Sequence, residues 1–308
     1  MAGETGNGTM GAPSWMGGPP KKILLATDLS PRGDRALDRA VALAVQWQAD
    51  LVVLHVLEEF QPDSLGAAQL PSWRRPPDPV GLARKQLLAD TGAVPGKVTV
   101  LVGEGDVVDS IMRTAGSEQC GLIVLGTARN ELLGRVLLGR TVDRLLRRSA
   151  VPLLVVKDRP RGPYRHIAVA VDFSDSSRHA LEAAARFFPD QRLTIFHAYD
   201  PPMSSFLQAP VPYSQEYRKV AARECEAFLE KVDKPASWRM PQILIEDGPP
   251  TVLLRDYVRE KGVDLVVLGT HGRSAVLEIF IGSMAKAIMY ETPCDALVIR
   301  EPRAAVET

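Results

Sequence analysis

Glycine and hydroxyl residues near the C-terminus have the spacing of a backbone site for an anion. An aliphatic run ends at Gly269, Gly272 follows three positions later, and nine residues separate Gly272 from Gly282 and Ser283. Glycine permits tight turns and the close approach of a phosphate, and helix N-termini favour negative charge. The spacing therefore predicts a phosphate cradle built largely from backbone N–H groups, to which Arg273 adds a positive charge.

Two glycines three residues apart are weak evidence alone, because many loops between a strand and a helix contain such a pair. The position of Gly269 after an apolar strand, together with Asp172 at the end of an earlier strand, favours the phosphate interpretation. Asp172 itself has two interpretations. It caps or turns into the following helix, or it meets a ligand hydroxyl at the edge of the sheet.

A weaker copy of the glycine pattern lies 143 residues earlier in the chain. In that copy Arg129 stands at the position of Gly272, and Arg140 at the position of Ser283. Two guanidinium groups either fill an empty anion site or bind a different anion. The constant offset indicates a duplicated domain rather than a short structural repeat, and it relates these pairs: Gly105 and Gly248, Gly126 and Gly269, Gly139 and Gly282.

Each half of the chain predicts the same element order, β-α-β-α-β-α-β-α-β. Because the strands are apolar on both faces, we expect an α/β fold of two tandem, open, parallel five-stranded sheets, each with helices on both faces. The first half is predicted at residues 21–157 and the second at 164–301, with a linker at 158–163. Residues 1–20 are expected to form a disordered leader outside the fold, and 302–308 a tail.

Composition excludes several classes of protein. The 37 acidic and 37 basic side chains give a net charge of zero, which argues against nucleic-acid binding by bulk electrostatics. The three cysteines form no CxxC pair, which fits a reducing compartment such as the cytoplasm. The sequence contains no apolar run of about 18 residues that would span a membrane. No His/Cys cluster predicts a metal site.

The combined motifs resemble the universal stress protein family over 21–157 and 164–301. The resemblance is carried by Ala-Thr-Asp-Leu-Ser at 26–30, Ala-Val-Asp-Phe-Ser at 170–174, Val-Leu-Gly-Thr at 267–270 and the Gly-x-x-Gly-(nine)-Gly-Ser pattern. It implies a Rossmann-like fold of the adenine-nucleotide alpha-hydrolase type. It also implies domain pairing through the last strand, either between the two halves of one chain or in a homodimer.

The resemblance implies an ATP site, with or without Mg²⁺, in the second half. Asp172 is expected near the nucleoside, Ala198 in the adenine pocket, and the glycine loop with Ser283 on the phosphates. Ala198 stands where the family commonly has valine, which loosens the pocket slightly. The residues that map onto this site are Ala170, Val171, Asp172, Ala198, Leu268, Gly269, His271, Gly272, Arg273, Gly282, Ser283 and Met284.

In the first half, a side chain at Arg129 would obstruct the turn if that turn has positive φ. This favours loss of ordinary ATP binding, and no cofactor is expected there. The sequence shows no P-loop lysine and no carboxylate pair for Mg²⁺ beside the loop. We therefore expect a stress-response binding module with at most slow ATP hydrolysis. The alternative is a scaffold or regulator that binds a protein or a non-nucleotide ligand.

Overall fold

The computed structural model describes residues 14–57, 78–92, 94–127, 131–132, 135–136, 139–199, 211–272 and 281–301. In the first half the strands are β1 (Lys22–Thr27), β2 (Asp50–Leu57), β3 (Val98–Glu104), β4 (Leu122–Gly126), β5 (Glu131–Leu132), β6 (Arg135–Val136) and β7 (Leu153–Val156). The helices there are α1 (Pro31–Trp47), α2 (Pro79–Thr91), α3 (Val107–Ser117) and α4 (Gly139–Arg148). The short β5–β6 hairpin follows β4 and was not predicted.

The second half repeats this order without a described hairpin. Its strands are β8 (Ile167–Ala170), β9 (Thr194–Tyr199), β10 (Gln242–Asp247), β11 (Leu265–Gly269) and β12 (Asp295–Ile299). Its helices are α5 (Asp175–Phe187), α6 (Val211–Glu230), α7 (Pro250–Lys261) and α8 (Ser283–Glu291). Within the described residues, no helix has the length and apolar character needed to cross a bilayer.

Ten strands form one continuous sheet in the order β10-β9-β8-β11-β12-β7-β4-β1-β2-β3. The five strands of each half are parallel, which confirms the predicted fold class. The halves join where β7 and β12 pair antiparallel, with Leu154 opposite Leu297. The strand order reverses between β1 and β4 and between β8 and β11, and ligands of open α/β sheets bind at such switch points.

Apolar side chains cover both faces of this sheet. One face packs against α1, α2, α5 and α6, and the other against α3, α4, α7 and α8. The central strands are buried on both sides because each side chain, alternating along the strand, meets one of these helical layers. Within each half the carboxyl ends of the five strands lie at one edge of the sheet, and these edges are opposite in the two halves because β7 and β12 run antiparallel.

A buried carboxylate ties the two halves together. Asp295, 1% exposed, accepts hydrogen bonds from the backbone N–H of Lys157 at 2.8 Å and of Asp158 at 3.2 Å. The Tyr164 hydroxyl donates to its other oxygen at 2.6 Å, and Arg39 Nε lies 3.3 Å from that oxygen. Burial raises the pKa of Asp295 and also that of Tyr164. Four partners thus compensate one desolvated acid.

Two cations cap helices across the boundary between the halves. The Lys157 ammonium donates to the carbonyl oxygens of Met289 at 2.6 Å and Thr292 at 2.8 Å, at the end of α8. Burial lowers the pKa of Lys157 to about 8. At the equivalent position of the second half, Arg300 donates to the carbonyl of Arg147 at the end of α4. The residues that follow β7 and β12 are therefore buried and bonded to the opposite half.

Part of the expected leader belongs to the fold. Ser14–Gly17 form a 3-10 turn, and Trp15 is only 1% exposed. Its ring lies 5.7 Å from the ring of His179 and 5.9 Å from the guanidinium carbon of Arg186, both on α5. The expectation that residues 1–20 lie outside the fold is therefore wrong for 14–20, because the indole covers apolar surface of the second half.

Opposite charges occupy equivalent positions where α4 meets α8. Asp143 and Lys286 are 143 residues apart, and Lys286 Nζ lies 3.2 Å from Asp143 Oδ2. We expect Asp143→Lys, which places two lysines together, to lower the free energy of unfolding by up to about 1 kcal/mol, because both side chains are partly exposed. Urea unfolding measures this difference.

The exchanged pair tests the same contact. Asp143→Lys combined with Lys286→Asp restores opposite charges and should recover most of the lost stability. A double variant that is as unstable as the sum of its single variants would show that the two charges do not interact.

Candidate functional site

A cleft opens in the second half at the carboxyl ends of β8 and β11, at the strand-order switch point. Its volume is about 400 Å³, within the usual range for a small-molecule site. We call it the second cleft. Predicted residues that line it are Ala170, Val171, Asp172, Ala198, Leu268, Gly269, His271, Gly272, Gly282 and Met284. Ser283 is the exposed first residue of α8, and Arg273 lies outside the described residues.

A sharp turn after β8 positions Asp172. Its Oδ1 accepts hydrogen bonds from the Ser174 backbone N–H at 3.1 Å and from the Ser174 hydroxyl at 2.5 Å. Phe173 between them has φ of 64°, an unusual conformation for a bulky residue. Ser174, rather than Asp172, is the N-cap of α5, since its Oγ accepts from the Ser177 N–H. The turn therefore holds Asp172 at the rim of the second cleft.

The glycines of the loop are required by close approach rather than by positive φ. A Cβ added to Gly272 would lie 2.7 Å from Oδ2 of Asp172. A Cβ on Gly269 would lie 2.7 Å from the carbonyl carbon of Ser176, in the first turn of α5. Gly282 has φ of −56°, and neither Gly269 nor Gly272 has positive φ. The condition of positive φ is therefore not met in this half, and glycine is needed at 269 and 272 because neighbouring atoms leave no space for a Cβ.

Hydrogen bonds fix both ends of the glycine loop. The Gly282 N–H donates to the Thr270 carbonyl at 2.8 Å, and the His271 N–H donates to the Ser176 hydroxyl at 3.2 Å. The His271 ring contacts the Thr270 hydroxyl through Nδ1 at 2.8 Å. Its Nε2 is buried and has no hydrogen-bond partner within the described part of the chain. A buried polar atom without a partner is costly, so a ligand that supplied one would bind favourably.

The N-terminus of α8 faces the second cleft. The helix begins at Ser283, and its N-cap Gly282 supplies no side chain to accept the first N–H groups. Unsatisfied amides and the helix dipole both favour an anion at this end. The start of α8 lies beside the loop glycines, since a Cβ on Gly282 would be 3.9 Å from the Gly272 backbone nitrogen.

Helices α7 and α8 supply an apolar wall of the second cleft that was not predicted from the sequence. The wall residues from α7 are Pro250 and Leu254, and those from α8 are Ala285 and Ile288; Phe196 on β9 completes the set. The spacing of four between Pro250 and Leu254 places both on one helix face, but only the packing of α7 shows that this face meets the cleft. This wall and Ala198 give the second cleft an apolar lining beside its polar rim.

The strand-end histidines His55 and His197 are hydrogen-bonded structural residues. His197 Nδ1 donates to the Val171 carbonyl at 2.9 Å, and His55 Nδ1 donates to the Thr27 carbonyl at 2.9 Å. Each ring thereby fixes the end of the neighbouring first strand. The Phe173 ring also lies 4.2 Å from the His197 ring. The histidines support the turn that carries the aspartate.

Ion pairs neutralise two arginines of α4, a helix with several basic side chains. Arg144 binds Asp106 at 2.8 Å, and Arg148 binds Asp109 at 2.7 Å. The hydrogen bond from Arg144 lowers the pKa of Asp106 to about 2. These contacts argue against a nucleic-acid surface at this helix. Across the described ranges, no group of three or more His, Cys, Asp or Glu side chains has a metal-binding arrangement.

The three cysteines are buried free thiols. Burial raises the pKa of Cys120 to about 11 and that of Cys294 to about 12, and it also raises the pKa of Cys225. Thiols with raised pKa values are poor nucleophiles at neutral pH. They therefore contribute packing, as expected for Cys294.

Comparison with known proteins identifies the family. The profile of the universal stress protein family matches residues 19–157 and again residues 163–300. The chain belongs to the universal stress protein family. A universal stress protein of Bacillus subtilis, YxiE, is 26% identical over 147 residues, which cover 44% of this chain and 99% of the relative. A putative universal stress protein of Staphylococcus haemolyticus is 28% identical over 140 residues, covering 44% and 85%.

Solved structures show the same fold over nearly the whole tandem universal stress protein. A protein of unknown function from Pseudomonas aeruginosa PAO1 has a TM-score of 0.64 at 20% identity, covering 94% of this chain and 95% of that one. A universal stress protein from Archaeoglobus fulgidus has a TM-score of 0.62 at 18% identity, covering 92% and 99%. At these identities the likeness concerns the fold alone.

Proposed function

We propose that the second cleft binds ATP and that this universal stress protein acts as a nucleotide-responsive regulatory module. The observation that carries the proposal is the glycine cradle. A Cβ at Gly269 or Gly272 would collide with the neighbouring α5 turn or with Asp172, and Gly282 opens an uncapped helix N-terminus. The N–H groups of His271 and Gly282 are bonded within the protein, so the amides at the uncapped start of α8 are the ones that a polyphosphate would meet.

The remaining walls suit a nucleoside. Asp172 lies at the switch point, where a carboxylate accepts hydrogen bonds from ribose hydroxyls. Ala198 and the apolar wall from α7 and α8 offer a site for the base. His271 Nε2, buried and without a described partner, supplies one further polar contact for the ligand. The ring, the sugar and the phosphates of ATP each meet groups of suitable chemistry.

We propose binding rather than efficient catalysis. Asp172 is the carboxylate among the described residues that line the second cleft, and efficient phosphoryl transfer ordinarily uses metal-binding carboxylates, a positioned base and a lysine or arginine. ATP, with or without Mg²⁺, would then act by favouring one conformation of the glycine loop, which a partner protein would recognise. We place this role in a cytoplasmic stress response, in keeping with the family and with the buried free thiols.

Calorimetry and mass spectrometry test the proposal. Titration of the full-length protein with ATP and Mg²⁺ should give one tight site per chain, and denatured, freshly purified protein should release adenine nucleotide. Steady production of ADP should be slow on the scale of ordinary kinases. If no nucleotide is released and the titration gives no heat, the second cleft is not an ATP site, and the scaffold alternative takes its place.

A further inference from the structure

A larger cleft occupies the equivalent position in the first half, where the sequence favoured loss of ordinary ATP binding. This first cleft lies at the carboxyl ends of β1 and β4 and has a volume of about 580 Å³. Its described apolar lining comes from β1, β2, α3, β4 and α4, the elements equivalent to those around the second cleft, and includes Leu54, Val56, Val107, Ile111, Leu125 and Val142. The described part of the first cleft is therefore open and has room for a ligand.

The turn that holds the carboxylate is also preserved in the first half. Asp28 Oδ1 accepts hydrogen bonds from the Ser30 N–H at 3.0 Å and from the Ser30 hydroxyl at 2.5 Å. Leu29 has φ of 56°, matching the conformation of Phe173. Holding a bulky residue in this conformation costs free energy, which points to a retained functional turn. The part of the first cleft that would receive a ring and its hydroxyls is thus intact.

The end of the first cleft where an anion would bind differs from that of the second cleft because it carries Arg140. Arg140 stands at the position equivalent to Ser283 and lines the first cleft. Its side chain is exposed, so it does not fill the cavity. Arg144 and Arg148 on the same helix are paired with carboxylates, whereas no described side chain pairs with Arg140. Gly139 before it has φ of 79°, unlike Gly282. The helix starts therefore present different groups to an anion.

We propose that the first cleft binds an organic phosphomonoester, a compound with an apolar ring, hydroxyl groups and a single terminal phosphate. One guanidinium binds two oxygens of one phosphate in a bidentate manner, and the helix N-terminus adds favourable potential. The Arg140 side chain takes the place that a chain of further phosphates would use beside Ser283 in the second cleft. The two halves of the protein thus bind ligands of different phosphate number. This inference does not depend on ATP binding in the second half.

Titration of full-length protein carrying Gly272→Arg, which obstructs the second cleft, tests the inference. AMP is the probe phosphomonoester, and we expect one site per chain, with ATP and adenosine binding about tenfold or more weakly. Arg140→Ser should weaken AMP binding by about tenfold or more without changing the melting temperature, since Arg140 is exposed. Val56→Trp, which fills the first cleft, should abolish AMP binding.

A matched variant separates this site from the other half. Ala198→Trp fills the equivalent position of the second cleft and should leave AMP binding intact, and it replaces Gly272→Arg if that variant does not fold. Absence of AMP binding overturns the inference, as does AMP binding that survives Val56→Trp or Arg140→Ser. Equal affinity for AMP and ATP overturns the single-phosphate claim. Failure of the ATP proposal gives a different result, because ATP binding by the natural chain would then be missing or insensitive to Gly272→Arg.

Discussion

Replacing Gly272 with arginine should weaken ATP binding by about 100-fold or more. The new Cβ would lie 2.7 Å from Oδ2 of Asp172, a distance that requires either the carboxylate or the loop to move. The rest of the side chain would then occupy the cradle between Asp172 and the start of α8. Calorimetric titration with ATP and Mg²⁺ measures the loss.

A second arginine variant controls for the added charge and bulk. Gly116 lies in an exposed position of α3, where an added Cβ meets nothing within 4 Å. Gly116→Arg should therefore leave the affinity for ATP unchanged, and the same substitution at Gly272 should leave the far-ultraviolet circular dichroism unchanged. Full ATP affinity in a folded Gly272→Arg protein would remove the glycine loop from the binding site.

Replacing Asp295 with alanine should lower the free energy of unfolding by about 3–5 kcal/mol. The carboxylate is 1% exposed and is the shared partner of Arg39, Tyr164 and the Lys157 backbone. Its removal leaves a buried guanidinium and a buried hydroxyl without that partner and also opens a cavity. Urea unfolding monitored by tryptophan fluorescence measures the change.

Two further variants identify the cause of this loss. Asp295→Asn keeps an acceptor for Tyr164 but removes the charge that faces Arg39, so it should be destabilised by an intermediate amount. Asp143→Ala removes a partly exposed carboxylate at the same boundary and should cost less than about 1 kcal/mol. If Asp295→Ala were as stable as Asp143→Ala, the buried network would not hold the halves together.

The two clefts show how far residue patterns can predict a site. The glycines and Asp172 were predicted from their positions after strands, since parallel strands bring their carboxyl ends to one edge, and Ala198 was predicted from the family resemblance; all of them line the second cleft. Pro250 and Leu254 were missed because their helix face reaches the cleft only through the packing of α7. Likewise, Arg140 is visible in the sequence, but its exposure and the open cavity beside it are not. The contribution of Arg129 stays outside the described residues.

The strained turns give a second example. An Asp-x-Ser sequence precedes the first helix of each half, and its serine caps that helix. The positive φ values of Leu29 and Phe173 could not be predicted, because leucine and phenylalanine disfavour that conformation locally. Tertiary contacts around the strand ends, including the hydrogen bonds from His55 and His197, hold the turn in place. A local preference was overruled by the surrounding structure.

The sequence by itself determined the duplication, the order of the main strands and helices, and a set of five parallel strands in each half, because apolar periodicity and glycine positions are local properties of the chain. Only the tertiary structure decided how the halves are joined. The bond between Lys157 and Asp295 links residues 138 positions apart, and Pro152 stands at the position equivalent to Asp295 in the first half. Which side chains meet across such distances depends on the packing of the whole sheet. The same packing keeps the first cleft open although Arg129 and Arg140 stand where the second half has Gly272 and Ser283.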